Sequence, residues 1–471
     1  MGKFSLFLSI LLFSGGFLTI NPCLARTFTD TQNRTIEAEL ISVEDGVVRV
    51  RRSDGREFSI PIKNLSQADQ DYIEDFVQSD RADQPSSQPE EPAEKLNQLF
   101  GIPLFEGSSI WDENPEVVAK RLGWPRESKT ESFSSFRIYP DDSYSILNAR
   151  PYSAVLYGED GRAKRVSIVF ANKGDLETNN RDRIEEAIEN DAEEIERLLI
   201  QELGEAKRIN MGRYDMKERV SRWDWEDHAI LLSEQDGEYV SLRIMPVSVA
   251  DNRGFSSRIP KSEMRDRLER HVVREPNGDV RIKGIPMVDQ GPKGYCVPAT
   301  FERYLRFLSI PADMYILAMA GQTGIGGGTD PSKIVENVQS YVSYSGRDLE
   351  KERMKIDIKD IADFVDEGIP IMWTLLSGMD FNEIANQRTL DRSKQKDWEE
   401  WKERCQAEDE EVKSKIWPDY SAGHMCMIVG YNEETGELAI SDSWGKAYEL
   451  RWITVGQAER VSREEFYIID L

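Results

Sequence analysis

Three residue types that together support nucleophilic catalysis occur in the C-terminal part of the chain: a cysteine, a histidine and an aspartate. Cys296 stands at the predicted start of a helix, because Pro298 is tolerated only in a first helical turn and apolar residues then recur at helical spacing. The orphan N–H groups and the dipole of a helix N-terminus favour a thiolate. Cys296 is therefore a candidate nucleophile, although a cysteine here would also suit a small buried apolar position.

A base and an orienting acceptor for this thiol are predicted on two consecutive strands. His424 lies at the start of a predicted strand over residues 423–431, and Asp442 lies on the next predicted strand, over residues 438–445, after a polar turn over residues 432–436. Two antiparallel strands joined by this turn can place His424 beside Asp442. A thiol nucleophile needs a base, and the base needs an acceptor that orients it. We therefore predict that Cys296, His424 and Asp442 act together.

The segments around these residues resemble the papain-like cysteine peptidases over residues 282–471. The shared features are Gln290 six residues before Cys296, Gly423-His424 with Val429-Gly430-Tyr431, and Ile440-Ser441-Asp442-Ser443-Trp444-Gly445. Asp289-Gln290-Gly291 followed by Cys296-Val297-Pro298-Ala299 is closer to the bacteriocin-processing, double-glycine leader peptidases. This resemblance implies a papain-like fold for the C-terminal segment.

The resemblance also implies a role for each matching residue. Cys296 would be the nucleophile, His424 the base and then the acid, and Asp442 the group that orients the imidazole. Gln290 would stabilise the oxyanion together with the backbone N–H of Cys296.

Two further positions would support the site. Trp444 would shield the bond between His424 and its acceptor from water, and Gly291 belongs to the same motif as Gln290. The chain departs from the papain subgroup in having Asp442 in place of an asparagine and a different sequence around the cysteine. These departures leave the substrate preference open.

The N-terminus has the pattern of a secretory signal peptide over residues 1–25. Lys3 is followed by an apolar run from Phe4 to Ile20 and by Ala25 at a plausible cleavage point. No later segment reaches the ~18 apolar residues that a spanning helix needs. We expect an exported protein, periplasmic or extracellular, without a membrane span once the signal is cleaved; retention of the signal as an anchor stays open.

Residues 26–79 are predicted to form a small β unit. Ile36, Ala38 and Leu40 alternate with charged residues, and Asp54-Gly55 marks a turn. These features, with the segment 65–70, resemble the first homology domain of a yeast endocytic adaptor family. That resemblance implies an SH3-like barrel, which either binds a peptide or spaces the next domain.

The remaining boundaries follow from changes in composition and periodicity. Residues 80–95 contain three prolines among acidic and small polar residues and are predicted to be a disordered linker. Residues 96–250 combine hairpin patterns with a helical pattern and are predicted to be an α+β domain of unknown role. Residues 251–281 are predicted to be a charged helical connector to the peptidase domain at 282–471. The predicted fold class of the chain is α+β.

The composition limits the partners. The chain of 471 residues has 60 basic and 86 acidic side chains, a net charge of −26 at pH 7. Phosphate binding needs a basic surface, so we predict no nucleic-acid partner. The sequence contains neither His-x-x-x-His nor Cys-x-x-Cys, and we predict no metal and no cofactor. The expected partners are a peptide or protein substrate and, if the barrel binds peptides, a peptide ligand there.

The mature chain would keep three cysteines, Cys296, Cys405 and Cys426, so at least one thiol stays unpaired within the chain. A Cys405–Cys426 disulfide stays open. We predict an exported cysteine peptidase that hydrolyses peptide bonds through an acyl-thioester. The alternatives are an amidase or transpeptidase acting on cell-wall peptides with the same three residues, and a non-catalytic peptide-binding protein.

Overall fold

A computed structural model describes residues 26–32, 34–44, 46–70, 72–73, 92–176, 179–255 and 258–471. The predicted signal peptide and residues 80–91 of the predicted linker lie outside these ranges. The chain divides into two compact units, Met1–Pro89 and Glu90–Leu471. Among the described residues, no helix combines the length and the apolar composition that a bilayer-spanning segment requires.

The first unit contains one antiparallel sheet. Its strands are adjacent in chain order: β1 (Arg26–Thr29), β2 (Thr35–Glu44), β3 (Val47–Arg51) and β4 (Glu57–Pro61). The buried residues of its core are apolar: Phe28, Ala38, Leu40, Val48, Val50, Leu65 and Ile73. The β unit follows the predicted alternation, and the SH3-like barrel stays a prediction.

The second unit begins with helix α1 (Pro92–Phe100), which overlaps the last four residues of the predicted linker, and helix α2 (Pro115–Leu122). An eight-stranded sheet, named here the middle sheet, follows. Its strands are β5 (Arg126–Lys129), β6 (Phe133–Ile138), β7 (Ser153–Glu159), β8 (Arg162–Asn172), β9 (Lys207–Met211), β10 (Glu218–Trp225), β11 (His228–Gln235) and β12 (Tyr239–Pro246). They are antiparallel in the order β5-β6-β7-β8-β12-β11-β10-β9.

One face of the middle sheet is covered by helix α3 (Arg181–Leu203). Asn180 caps its N-terminus by accepting from the backbone N–H of Asp182, and the helix ends at Gly204. Its buried residues recur at helical spacing and share an apolar core with the inward side chains of β7, β8 and β12. This agrees with the helix and the hairpins predicted from the sequence.

The segment predicted to be a helical connector is only partly helical. Helices α4 (Val247–Asp251) and α5 (Lys261–His271) are followed by a hairpin of β13 (Val272–Arg274) and β14 (Asp279–Ile282). The Asn277-Gly278 pair, where Gly278 has a φ of 85°, is a strong hairpin signal that corrects this part of the prediction.

The C-terminal part contains a second sheet and the remaining helices. The helices are α6 (Cys296–Phe307), α7 (Met314–Ala320), α8 (Pro331–Tyr344), α9 (Ile358–Asp366), α10 (Met379–Arg392), α11 (Trp398–Lys415) and α12 (Val455–Val461). The strands are β15 (Asp348–Arg353), β16 (Ile371–Leu376), β17 (Gly423–Asn432), β18 (Glu437–Ser441), β19 (Arg451–Thr454) and β20 (Ser462–Asp470). The sheet runs β13-β14-β17-β16-β20-β15, and β18 pairs with β17 and β19.

Helix α6 is buried along its whole length, and polar contacts fix it to the strands beside it. The Thr300 hydroxyl donates to the carbonyl of Met425 on β17 at 3.3 Å. The guanidinium of Arg303 donates to the hydroxyl of Ser441 on β18 at 2.5 Å and to the carbonyl of Pro286 at 3.1 Å. These contacts set the position of the helix that begins at Cys296 relative to β17 and β18.

The second face of the middle sheet packs on the C-terminal part of the same unit. The backbone N–H of Asp289 donates to Glu127 at 2.8 Å, and the Tyr139 hydroxyl donates to the Asp289 carbonyl at 2.7 Å. Arg137 holds the Glu127 carboxylate in place, with 2.6 Å between Nε and Oε1. The loop that leads to Cys296 is therefore positioned by side chains of the middle sheet.

Candidate active site

Cys296 is the first residue of α6, as its sequence context predicts. The residue before it, Tyr295, donates its hydroxyl to Asn172 on β8 at 2.8 Å, which anchors the loop at the helix start. Cys296 is only 8% exposed and forms no disulfide. A thiol in this position points its sulfur toward the orphan N–H groups of the first helical turn.

His424 and Asp442 lie side by side, as the strand pair predicts. In the register of β17 and β18, Met427 faces Ser441, so the two residues lie at the same end of the pair. Nε2 of His424 is 2.8 Å from Oδ1 of Asp442. Because Nε2 is taken by the carboxylate, Nδ1 is the ring nitrogen left for the cysteine.

The Cys296 thiol and the His424 imidazole interact directly, and each changes the pKa of the other. Burial alone would raise the pKa of the thiol, but hydrogen bonding and charge attraction to His424 outweigh burial and bring it below its ordinary value. Burial alone would lower the pKa of His424, but Asp442 and Cys296 together raise it to about 9. The pair therefore favours a thiolate beside an imidazolium.

Arg451 on β19 is a member of the site that the sequence did not indicate. Its Nη2 and Nε donate to Oδ2 of Asp442 at 2.7 Å and 3.1 Å. Its Nη1 donates to the side-chain carbonyls of Asn382 and Asn386 on α10, at 2.9 Å and 3.1 Å. Burial would raise the pKa of Asp442, but His424 and Arg451 lower it, so the carboxylate stays ionised. Arg451 thus holds the acceptor that orients the imidazole.

Trp444 covers the histidine. The two rings are stacked, with centroids 4.5 Å apart and an interplanar angle of 26°. The indole also meets the Tyr448 ring edge-on at 5.4 Å, which fixes its orientation. Trp444 therefore covers one face of the His424 imidazole.

Gln290 and Gly291 lie in the loop before Cys296. The backbone N–H of Gln290 donates to the Ser443 carbonyl at 2.9 Å, which ties this loop to the residue after Asp442. Its Nε2 donates to the Lys293 carbonyl at 3.2 Å, and its buried Oε1 has no hydrogen-bond partner among the described residues. Gly291 has a φ of 71°, and a Cβ there would lie 2.9 Å from the Tyr139 ring.

Residues 282–462 match the model of the Peptidase_C39 like family. Residues 20–80 match the model of SLA1 homology domain 1. No curated protein matches the chain. The C-terminal part of the chain is thus similar to the Peptidase_C39 like family, and this C39-like domain follows a segment similar to SLA1 homology domain 1. The family match suggests a cysteine peptidase, and a peptidase domain implies a peptide substrate.

The other histidines are far less suited to act as the base of the C39-like domain. His228 is fully buried in the middle sheet, where its ring packs against the Phe105, Trp111 and Trp225 rings at centroid distances of 4.8–5.2 Å. Burial lowers its pKa to about 4, so it is neutral at pH 7. His271 is half-buried against Phe307.

The other two described cysteines of the C39-like domain are buried free thiols. The Cys405 sulfur accepts a hydrogen bond from Arg388 at 2.9 Å. Cys426 lies two residues beyond His424 on β17. Burial raises the pKa of both thiols, so they stay protonated where Cys296 can ionise. Among the described residues, no group of three or more His, Cys, Asp or Glu side chains is arranged to hold a metal ion.

We expect alkylation of Cys296 by iodoacetamide to stay fast well below the ordinary pKa of a thiol, which is about 8.5. In His424→Ala, burial still raises the pKa of the Cys296 thiol, but the imidazole that lowers it is gone. The inflection in the plot of alkylation rate against pH should therefore move to higher pH. The measurement is the alkylation rate from pH 5 to 10, followed by mass spectrometry of the Cys296 peptide. His228→Ala is the matched control and should leave the inflection where it is. An inflection that His424→Ala does not move would show that the histidine does not activate this thiol.

Proposed function

We propose that the chain is an exported cysteine peptidase that hydrolyses peptide bonds through Cys296, His424 and Asp442. The observation that carries the proposal is the placement of His424, whose Nε2 is 2.8 Å from Asp442, together with Cys296 at the start of α6. The lowered pKa of the Cys296 thiol, caused by His424 against the effect of burial, supports the same pairing. The intact set also argues against a protein that only binds peptides. The export step rests on the signal pattern of residues 1–25.

In the first step the Cys296 thiolate attacks the carbonyl carbon of the scissile amide, forming a C–S bond. The negative charge that develops on the carbonyl oxygen is met by the backbone N–H of Cys296 and the second amide N–H of Gln290. The C–N bond then breaks, and the His424 imidazolium gives its proton to the departing amine. An acyl-thioester on Cys296 and a free amine remain.

In the second step water attacks the acyl-thioester, and neutral His424 takes a proton from that water. The C–S bond breaks, the new carboxylic acid leaves, and the thiolate and imidazolium are restored. Asp442 keeps the imidazole in one orientation through both steps and stabilises the imidazolium. Arg451 acts only through Asp442 and is a positioning residue.

The test uses the full chain recovered from the exported fraction, where N-terminal sequencing should show Arg26 as the first residue. The protein is incubated with a peptide library and, in parallel, with muropeptides in H₂¹⁸O, and the products are analysed by mass spectrometry. We expect cleaved library peptides with one ¹⁸O in each new carboxylate. Cleavage confined to muropeptides would favour the cell-wall amidase instead. New amide products without ¹⁸O would indicate transpeptidation, and no product from either substrate would indicate a binding protein.

A further inference from the structure

A cavity of about 440 Å³ lies between the second face of the middle sheet and helices α6 and α7. None of the proposed catalytic residues lines it. Cavities of roughly 300–1,000 Å³ with apolar walls and a few polar groups are typical small-molecule sites. The polar groups in the lining of such a site determine which ligand it binds.

Much of the wall is apolar and adaptable. The apolar lining side chains come from both sides of the cavity: Met211, Met216, Met245, Phe255, Ile310 and Ile316. Methionine side chains adjust to ligands of different shape because they are unbranched. This part of the cavity fits an apolar chain or ring.

The buried acids in the wall already have their partners. The Glu218 carboxylate accepts from Ser233 at 2.8 Å and from Tyr239 at 2.9 Å, and it is paired with Arg243 at 2.8 Å. The Asp313 carboxylate accepts from the Ser167 hydroxyl at 2.8 Å. Neither carboxylate is left to attract a cation.

The buried bases, in contrast, keep unused donors. Arg243 and Arg306 are more than nine-tenths buried. Nε of Arg243 and Nη1 of Arg306 have no hydrogen-bond partner among the described residues, and the latter lies 3.5 Å from the Glu302 carboxylate. Buried donors without an acceptor are costly, so the lining favours a ligand that brings one.

The exposed part of the cavity lining, like the buried part, contains basic side chains. Lys164 and Arg253 are exposed lining residues, and Glu159 is a half-buried acidic lining residue. The lining as a whole has five basic side chains, Lys164, Arg165, Arg243, Arg253 and Arg306, against three acidic ones, Glu159, Glu218 and Asp313. A net positive cavity in a chain of charge −26 attracts a small anion.

We propose that this cavity binds a small amphipathic anion, an apolar chain that ends in a carboxylate. The chain packs against the methionines and Phe255, and the carboxylate accepts hydrogen bonds from the free donors of Arg243 and Arg306. This ligand site is independent of the proposed peptidase chemistry.

The test measures binding of sodium decanoate to the full chain by calorimetry and by the shift of the thermal unfolding midpoint, with decan-1-ol and decyltrimethylammonium as the neutral and cationic probes. We expect decanoate to bind and to raise the midpoint with concentration, and the other two to bind at least about tenfold more weakly. Equal binding of the three probes, or no binding of decanoate, would overturn the proposal.

Two variants locate the site. Arg306→Met removes one free donor while Glu302 keeps the Tyr157 hydroxyl at 2.9 Å, and Met211→Trp fills apolar space. Each should weaken decanoate binding at least about tenfold. Arg197→Gln changes an exposed arginine outside the cavity and should have no effect. Decanoate binding that neither Arg306→Met nor Met211→Trp weakens would place the ligand elsewhere and refute the site.

Discussion

Cys296→Ala should abolish peptide hydrolysis and labelling by a thiol-directed, acyl-mimicking probe. The methyl side chain cannot form the C–S bond of the acyl-thioester, so we expect turnover to fall by at least about 10⁴-fold. The measurement is turnover of a peptide identified in the library screen, together with mass spectrometry of the labelled chain. Because Cys296 lies at the start of a buried helix and a small side chain fits there, the variant should remain folded.

The matched control is Cys426→Ala, two residues from His424 on β17. Its thiol is fully buried and its pKa is raised, so its loss should leave labelling unchanged. Cys405→Ala should behave in the same way, apart from the loss of the contact with Arg388. If Cys296→Ala is labelled as strongly as the unmodified chain, the nucleophile is another residue.

Asp442→Asn should also be severely impaired, although an asparagine serves at this position in the papain subgroup. In this chain Oδ2 accepts from two nitrogens of Arg451, while Oδ1 faces His424. An amide cannot accept on both sides. If its oxygen faces His424, its NH₂ group meets the guanidinium; if its oxygen faces Arg451, the imidazole loses its acceptor. We expect kcat/KM to fall by on the order of 10³- to 10⁴-fold.

A second substitution tests whether the activity is lost because the amide conflicts with Arg451 or because the negative charge is gone. In Asp442→Asn with Arg451→Met, the donor that opposes the amide is gone, so the amide oxygen can face His424. We expect the double variant to recover roughly tenfold in kcat/KM over Asp442→Asn. Asp366→Asn, which changes an aspartate in a partly exposed ion pair with Arg274, should stay within about twofold of the unmodified chain. A double variant with the same kcat/KM as the single variant would show that Arg451 is not the reason why position 442 needs a carboxylate.

The residues that carry the proposed chemistry could be predicted from the sequence because the patterns that mark them are local. Pro298 and the apolar spacing after Cys296 marked a helix start, and the structure begins α6 at that cysteine. The turn between β17 and β18 fixed which strand ends meet, which brought His424 beside Asp442.

The role of Arg451 could not be predicted from the sequence in this way. An arginine in a strand normally indicates a solvated position, and its contacts with Asn382 and Asn386 come from helix α10, about 65 residues earlier. Helix α10 is held in place by Glu437, a fully buried carboxylate that pairs with Arg388 and Arg392 at 2.7 Å and 3.0 Å. Partners so distant along the chain leave no periodic trace in one sequence.

The burial of the second face of the middle sheet could not be predicted from the sequence, for a related reason. Tyr157, Ser167 and Arg243 alternate with apolar residues, a pattern that normally indicates a face turned to water. The structure buries them instead against α6 and α7, where Tyr157 donates to Glu302 and Ser167 to Asp313. In a single sequence, polar residues that pair across a buried interface cannot be distinguished from polar residues that face solvent.

The contact of the middle sheet with the loop that leads to Cys296 has a consequence for how this protein can be divided into fragments. The family match spans residues 282–462, but Asp289 is held by Glu127 and Tyr139, and β20, at Ser462–Asp470, is an inner strand of the C-terminal sheet. A fragment cut at the family boundaries would expose a polar interface and lose that strand. The segment that matches the family is thus shorter than the piece of chain that can fold cooperatively, and expression boundaries belong near Glu90 and after β20.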